Sequence, residues 1–200
     1  MSDGAISPRL STFLAQCREE EPEIEIRLSE APLAEQLRGL RSGDFTLGFA
    51  HTADVGDGIV AEPIWQDPLV IAVPARHELL AHKEIPLHEL GSHPLVLCDP
   101  SVCEGFCREL TRLLRPLEHE PHVVEHVSSL DMMLTLVGAG YGVGFTTEAR
   151  IAARQRSDVV TRPLALESAV ITTYLLRLDS DSLPTLTGRF IDRLRAHLGS

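Results

Sequence analysis

The spacing of apolar residues twice predicts a helix that ends at a glycine and leads at once into a short buried strand. Residues 40–49 (LRSGDFTLGF) and residues 136–145 (LVGAGYGVGF) carry this pattern. Gly43 and Gly140 stand where a helix end needs a left-handed backbone, which glycine adopts without steric cost. Because both strands are apolar without alternation, we expect each to be buried on both faces, as in a parallel sheet covered by helices.

The remaining apolar spacing supplies the elements around these two units. Ser7 and Pro8 have the sequence of a helix cap followed by a first helical residue, and residues 23–28 (EIEIRL) alternate as a half-exposed strand does. Further strands are predicted at residues 69–74, 95–98, 123–124 and 169–176, and further helices after Ser101, after Ser129 and at residues 186–198. This order of strands and helices is typical of a parallel sheet with right-handed crossovers.

Two such units predict an α/β protein of two similar lobes. We assign residues 1–72 and 172–200 to lobe I and residues 73–171 to lobe II, so that the chain crosses twice between lobes in short, strand-like segments. A cleft between two lobes is a common place for a small-molecule site. In open α/β sheets, ligands bind outside the carboxyl ends of the strands.

Composition and charge narrow the function classes. The chain has 200 residues, of which 44% are hydrophobic and 24% charged, which is ordinary for a globular protein. Its net charge of −11 argues against nucleic-acid binding, because phosphate contacts need clustered Lys and Arg. No apolar run reaches the roughly 20 residues of a membrane helix, and the N-terminus lacks the features of a signal peptide. These features predict a cytoplasmic protein with no membrane partner, or a piece of a protein whose natural N-terminus has been removed.

Over nearly its whole length the chain resembles the effector-binding (regulatory) domain of LysR-type transcriptional regulators. The segments that carry the resemblance, in order, are residues 21–26 (EPEIEI), 40–49, 62–81 (EPIWQDPLVIAVPARHELLA), 136–144 and 159–164 (VVTRPL). The resemblance implies two Rossmann-like lobes joined by two crossing strands, the type II periplasmic-binding-protein-like fold. It also implies a small effector between the lobes, often a carboxylate or aromatic metabolite.

The resemblance further implies how such a domain acts. Effector binding would rearrange the lobes and the oligomer, and so control DNA binding and transcription by the full-length protein. The expected partners are the effector and a second copy of the chain in a side-by-side homodimer, with a tetramer at full length. DNA would be contacted only through a winged-helix domain that precedes this chain. The resemblance implies neither a cofactor nor enzymatic activity.

Candidate effector contacts lie at helix starts and in loops after strands. A helix start offers free backbone N–H groups and a partial positive charge, which suit a carboxylate. The simpler interpretation is that the serines at these helix starts serve only as caps, and both interpretations stay open. The full predicted set is Ser7, Leu33, His51, Thr52, Pro100, Ser101, Val102, Ser128, Ser129, Phe145 and Thr147.

Two of these positions depart from the family pattern. Many members carry proline at the position of Thr147 and a hydroxyl residue near Leu33, and both positions normally border the effector. Threonine in place of proline adds a hydrogen-bonding group, and leucine in place of a hydroxyl removes one. The effector is therefore expected to differ from the common aromatic acids.

The cysteines supply an alternative within the same family, a redox sensor. Cys103 falls close to the position of the reactive cysteine of peroxide-sensing members, and Cys107 follows one helical turn later. A helix start lowers the pKa of a thiol and favours the thiolate, whereas a cysteine on an apolar helix face is commonly a small buried hydrophobe. A free solute-binding protein is another alternative. The spacing of His and Cys predicts no metal site, and no nucleophile–base pattern predicts an enzyme.

Overall fold

A computed structural model describes residues 8–117, 121–152, 154, 156–166, 168–180 and 183–198. The chain divides into two compact units, one formed by Met1–Trp65 with Thr172–Ser200 and the other by Gln66–Ile171. We refer to them as lobe I and lobe II. The first boundary falls between residues 65 and 66, in the middle of one long strand, whereas the sequence analysis places it between residues 72 and 73, near the end of that strand.

Lobe I combines three helices with a small antiparallel sheet. Its helices are α1 (Pro8–Glu20), α2 (Leu33–Ser42) and α6 (Thr185–Leu198). Its sheet contains β1 (Gly48–Ala50), the first part of β2 (Ile59–Pro74) and the second part of β7 (Val170–Leu178). Strand β1 pairs with β7, with Phe49 opposite Leu175.

The sheet of lobe I is covered on both faces. Phe49 and Leu175 pack with α1 and α6 in one apolar cluster, whereas the next residues along each strand, Ala50 and Leu176, pack with α2 in another. Since successive strand residues point to opposite faces, α1 and α6 lie on one side of the sheet and α2 lies on the other. This placement explains why residues 48–50 are apolar without alternation.

Residues 23–28 differ from the sequence prediction of a half-exposed strand. Their alternation is visible in the burial, because Ile24 and Ile26 are half-buried whereas Glu23, Glu25 and Arg27 are exposed. The segment nevertheless has no regular secondary structure. The physical reason is that no neighbouring strand supplies its backbone hydrogen bonds within the described residues, and the N–H of Ile24 bonds back to the carbonyl of Glu21.

Lobe II contains the larger sheet. Its strands are the second part of β2, β3 (Leu95–Cys98), β4 (Val123–Val127), β5 (Val143–Thr147), β6 (Val159–Pro163) and the start of β7. Strand β3 is parallel to both β4 and β5, and β2 is antiparallel to β5 and β6. The helices are α3 (Glu104–Leu114), α4 (Leu130–Gly138) and α5 (Glu148–Ala152), and short 3-10 turns occupy Glu78–Ala81 and Leu87–Ser92.

Two apolar clusters cover the two faces of this sheet. One contains Phe106 and Leu110 of α3 with Phe145 of β5, and the other contains Met133 and Leu134 of α4. The parallel part of the sheet, with helices on both faces, is therefore as the sequence predicts.

The predicted helix ends at Gly43 and Gly140 are confirmed. Gly43 has φ of 84° directly after α2, and Gly140 has φ of 83° two residues after the end of α4. Among the described residues, no helix combines the length and apolar character that crossing a membrane requires.

Candidate functional site

The two lobes hold different members of the predicted contact set. Leu33, His51 and Thr52 belong to lobe I. The members in lobe II are Pro100, Ser101, Val102, Ser128, Ser129, Phe145 and Thr147. Ser7 lies outside the described residues.

In lobe II, most of these residues gather at one edge of the sheet. Because β3, β4 and β5 are parallel, their carboxyl ends meet at the same edge. Residues 99–103 follow β3, Ser128 and Ser129 follow β4, and Thr147 ends β5. Helices α3, α4 and α5 all begin at this edge, which is where ligands bind in open α/β sheets.

At the first of these helix starts, Ser101 serves a turn and not the helix. Its hydroxyl and its backbone N–H both donate to Oδ1 of Asp99, at 2.7 and 2.8 Å. Helix α3 begins only at Glu104, and Cys103 occupies the cap position without a capping side-chain bond. The helix therefore begins three residues after Ser101, because the carboxylate of Asp99 engages the donors of Ser101 in a local turn.

These two hydrogen bonds also keep the Asp99 carboxylate charged at the start of α3. The hydrogen bonds from Ser101 hold the pKa of Asp99 below its usual range, so this carboxylate is ionised at neutral pH. An anion near Ser101 would meet a fixed negative charge. The start of α3 is therefore poorly suited to a carboxylate ligand.

The start of α4 has the predicted cap. The hydroxyl of Ser129 accepts the N–H of Met132 at 3.3 Å, and the helix continues from Leu130 to Gly138. Ser128 lies just outside the helix, where its hydroxyl contacts the Met132 sulfur at 3.7 Å. The first N–H groups of such a helix have no partner within the helix and point outward.

Cations balance the one carboxylate in the first turn of α4. Asp131 forms an ion pair with Arg154 at 2.8 Å, and this hydrogen bond lowers the pKa of Asp131. The charges of Arg156 and Arg150 act on Asp131 in the same direction, and the side chain of Arg150 is buried. The charge of Asp131 at the start of α4 is thus offset by arginines, although Arg156 is itself paired with Asp158, whereas Asp99 at the start of α3 is held by the uncharged Ser101.

Thr146 is a candidate site residue that the sequence analysis missed. Its side chain is fully buried, and within the part of the chain described its hydroxyl oxygen has no hydrogen-bond partner. Gly144, two residues earlier, faces α4, because a Cβ there would collide with the sulfur of Met133. Thr146 shares that face of β5 and lies nearer the start of α4. The available signal was a pair of threonines at the end of an apolar strand that is covered on both faces.

The neighbouring predicted contacts have structural roles. Phe145 points into the apolar core of lobe II and is 2% exposed. The hydroxyl of Thr147 accepts the N–H of Arg150 at the start of α5. Val102 packs against the same core as Phe145, and Pro100 is exposed in the turn that Asp99 organises.

In lobe I, His51 and Thr52 lie buried directly after β1. Nδ1 of His51 lies 3.4 Å from both the carbonyl oxygen of Thr172 and the hydroxyl of Thr173. The hydroxyl of Thr52 accepts the N–H of Asp54 at 3.1 Å. Leu33 belongs to the apolar cluster under α2, which accounts for leucine at that position.

The environment of the cysteines after β3 does not favour a peroxide sensor. Cys103 is buried in the core of lobe II, and the thiol of Cys107 donates to the carbonyl of Cys98 at 3.2 Å. Burial, with smaller contributions from Cys98 and Asp99, raises the pKa of Cys107 to about 12. A sensor needs a lowered pKa, because the thiolate is the reactive form. No set of three or more His, Cys, Asp or Glu among the described residues is placed to hold a metal ion.

The family follows from comparison with known proteins. The family model of the LysR substrate binding domain matches residues 1–199, and the chain belongs to this family. The uncharacterized HTH-type transcriptional regulator YnfL of Escherichia coli K12 is 27% identical over 172 residues, which cover 86% of this chain and 56% of the relative. The HTH-type transcriptional regulator TfdS of Cupriavidus pinatubonensis is 30% identical over 178 residues, which cover 89% and 60%. The chain therefore spans less than two thirds of the length of these regulators.

Solved structures confirm the predicted fold class. The effector binding domain of a BenM variant has a TM-score of 0.86 at 21% identity, covering 95% of this chain and 88% of that chain. The effector binding domain of QuiR in complex with shikimate has a TM-score of 0.82 at 16% identity, covering 95% and 90%. The fold is that of a LysR effector-binding domain, which is of the type II periplasmic-binding-protein-like class.

Proposed function

We propose that the chain senses a small molecule bearing a carboxylate and binds it in lobe II at the start of α4. The carboxylate accepts hydrogen bonds from the free N–H groups at the beginning of the helix, and the hydroxyl of Thr146 bonds to a second polar group of the ligand. The observation that carries this proposal is the fully buried hydroxyl of Thr146, without a partner in the described residues, beside the start of α4.

The charges around the site support an anionic ligand. A helix start carries a partial positive charge, and the arginines around Asp131 add to it. At the start of α3 the ionised Asp99 repels an anion, so the turn at residues 99–102 sits at the rim of the site and not at its centre. A buried hydroxyl without a partner costs about 1–3 kcal/mol, which a ligand hydrogen bond would recover.

In the whole protein, the effector would act by shifting populations. A ligand that binds one conformation more tightly moves the equilibrium toward it, and the shift cannot exceed the difference in affinity. We place this chain in a cytoplasmic homodimer, and a tetramer at full length, with DNA contacted by a separate domain of the longer polypeptide. The relatives named as HTH-type transcriptional regulators support that assignment.

Two classes of carboxylate ligand fit this site: polyhydroxylated acids such as shikimate and aromatic acids such as benzoate. Shikimate, the ligand of the QuiR structure, has a carboxylate and several hydroxyls, and benzoate has a carboxylate on an apolar ring. Thr146 favours a ligand with a hydroxyl or a second acceptor, which agrees with the expectation that Thr147 and Leu33 set this chain apart from members that bind common aromatic acids. A redox sensor is not favoured, because the pKa of Cys107 is raised.

Thermal unfolding with and without ligand tests the proposal. Shikimate and benzoate are compared with benzamide, which has the ring of benzoate but no charge. A ligand at 100 times its dissociation constant stabilises by about 2.7 kcal/mol, which raises Tm by roughly 5–10 °C for a protein of this size. We expect at least one carboxylate to raise Tm and benzamide not to.

A matched pair of variants locates the site. Thr146→Val removes the buried hydroxyl while nearly keeping its shape, and Thr135→Val removes an exposed hydroxyl from α4 that bonds within the helix. Thr146→Val should abolish at least half of the Tm increase and Thr135→Val should keep it. Equal stabilisation of both variants, or of the wild type by benzamide, contradicts the proposal.

A further inference from the structure

Two histidines join the ends of the segment that links β2 to β3. This segment, residues 75–94, contains the two 3-10 turns of lobe II. His77 comes directly before the first turn, and His93 comes directly after the second. Their rings meet edge to face, with centroids 4.9 Å apart and an angle of 67° between the ring planes. The contact therefore closes the segment into a loop.

The loop contributes to the core of lobe II. Leu79, Ile85 and Leu90 are buried in the same apolar cluster as the residues of α3. The backbone N–H of Ile85 also donates to the carbonyl of Pro163, at the end of β6, at 2.8 Å. If the loop opened, it would expose these apolar side chains and lose a hydrogen bond to the sheet, so its closure matters for the whole lobe.

His77 holds the first turn only while its ring is neutral. Its Nδ1 accepts the N–H of Leu79 at 3.3 Å and so caps the turn. Nδ1 must therefore be unprotonated, and the single ring proton lies on Nε2. A second proton would place a ring N–H against the N–H of Leu79, and the cap would be lost.

The surroundings of His77 oppose a second proton. Burial of the ring, and then the charge that His93 can carry, lower the pKa of His77, whereas the carboxylate of Glu78 acts in the opposite sense. Glu78 is mostly exposed, and its Oε1 lies 3.8 Å from Nδ1 of His93. The other charged or titratable groups described on the loop and beside β6 do not contribute to this shift: Arg76, His82, Lys83, Glu84, His88, Glu89, Arg156, Asp158 and Arg162.

We propose that His77 and His93 form a proton-sensitive latch, which keeps residues 75–94 closed on lobe II at neutral pH and releases them in mild acid. The latch makes the proton a second input to this domain, and it does not depend on the proposed effector site. The loop enters β3 at its amino end, whereas the helix starts of the effector site follow the carboxyl ends of the strands. The two sites therefore lie at opposite edges of the same sheet.

The direction of the pH effect follows from the lowered pKa of His77. In the open loop, His77 takes up a proton near the ordinary histidine value of about 6.5, whereas in the closed loop it does so only at lower pH. The contribution of the latch to stability is therefore complete above this ordinary value. It is lost as pH falls through that value towards the pKa of the closed form. Two charged rings in contact would also repel each other.

Hydrogen exchange at two pH values tests the latch. The amides of Leu79, Leu80 and His82 report on it, because their N–H groups bond within the first turn. After correction for the intrinsic effect of pH on exchange, their protection in the wild type should fall by at least about threefold from pH 7.5 to pH 5.5.

Two asparagine variants make this measurement specific. His77→Asn keeps a side-chain oxygen that accepts the N–H of Leu79 but cannot titrate, so its protection should stay constant over the same pH range. His88→Asn removes an exposed histidine of the second turn that lies outside the ring contact, and it should behave as the wild type does. A fall in protection that persists in His77→Asn overturns the proposal.

The titration of the His77 ring gives a second, independent test. In ¹⁵N-labelled protein at neutral pH, the ring nitrogen shifts should show Nδ1 of His77 as the unprotonated nitrogen and Nε2 as the protonated one. His93→Asn removes the opposing charge and should raise the pH at which His77 titrates. An unchanged titration of His77 in His93→Asn, or a proton on Nδ1 in the neutral wild type, overturns the latch even if His77→Asn does not fold.

Discussion

The starts of α3 and α4 look alike in the sequence and differ in the structure. In each, a serine follows a strand of the same parallel sheet, and an apolar helix comes next. At α3, Asp99 takes both donors of Ser101 and places an ionised carboxylate at the edge. At α4, Ser129 caps the helix, Arg154 pairs with Asp131 in the first turn, and a buried threonine hydroxyl lies on the strand beside it. The comparison teaches that the residue two positions before the serine decides whether a helix start can receive an anion.

The largest expected effect concerns the thiol near the start of α3. With its pKa raised to about 12, Cys107 should form a thiolate roughly a thousandfold less often at neutral pH than a cysteine at its ordinary value. We expect iodoacetamide labelling of Cys107 in the folded protein to be slower than in the urea-unfolded chain by two to three orders of magnitude. Mass spectrometry of the labelled peptide gives both rates. Labelling at the unfolded rate would restore the redox alternative.

Removing the hydroxyl of Ser129 should destabilise the protein more than removing the hydroxyl of Ser101. Ser129→Ala loses a helix cap and should cost about 1 kcal/mol in the free energy of unfolding. Ser101→Ala removes a bond within an exposed turn and should cost less than about 0.5 kcal/mol. Urea denaturation with a shared slope measures both, and a larger loss for Ser101→Ala would mean that the roles are reversed.

The hydroxyl of Thr146 should lower the free energy of unfolding of the ligand-free protein. Thr146→Val replaces a buried hydroxyl without a described partner by a methyl group, so we expect the unliganded variant to be more stable by up to about 1 kcal/mol. Urea denaturation in ligand-free buffer is the measurement, with Thr135→Val as its control. A loss of more than about 1 kcal/mol from Thr146→Val would indicate a structural role for the hydroxyl.

The smallest effect is the pH dependence that Asp99 confers. Its pKa is lower in the folded protein than in the unfolded chain, so its contribution to stability is complete above the unfolded pKa and is lost as pH falls through the folded pKa. The stability difference between wild type and Asp99→Asn should therefore narrow as pH is lowered from 7 to 3. A difference that is constant with pH would contradict the Asp99–Ser101 interaction in solution.

Local rules were sufficient for part of this structure. Gly43 and Gly140 ended their helices because only a left-handed residue fits there, and the apolar residues of β5 marked a strand with helices on both faces. The alternation of residues 23–28 correctly indicated one half-buried face. The alternation could not show that this segment lies beside a groove and not beside a strand, because strand pairing depends on residues that are distant in the sequence.

The candidate site was harder to predict, because its chemistry depends on competition between neighbours. Ser101 has the sequence of a helix cap. In the structure, however, its N–H and its hydroxyl both donate to the charged carboxylate of Asp99. Thr146 was overlooked because a threonine in a strand is ordinary, and only the tertiary structure shows that its hydroxyl is buried without a described partner. Leu33 and Phe145, chosen by resemblance, lie in apolar cores, and their contact with an effector stays a prediction.

The most direct test of the account is a map of backbone amide shifts on adding a carboxylate ligand. In a ¹⁵N-labelled sample titrated with shikimate or benzoate, the amides of Leu130 and Asp131 at the start of α4 should shift with saturation, together with that of Thr146. Those of Ser101 and Val102 should shift less, and benzamide should move none of them. If the saturable shifts instead centre on residues 101–104 while the start of α4 stays unchanged, the effector site is at α3 and the central claim is wrong.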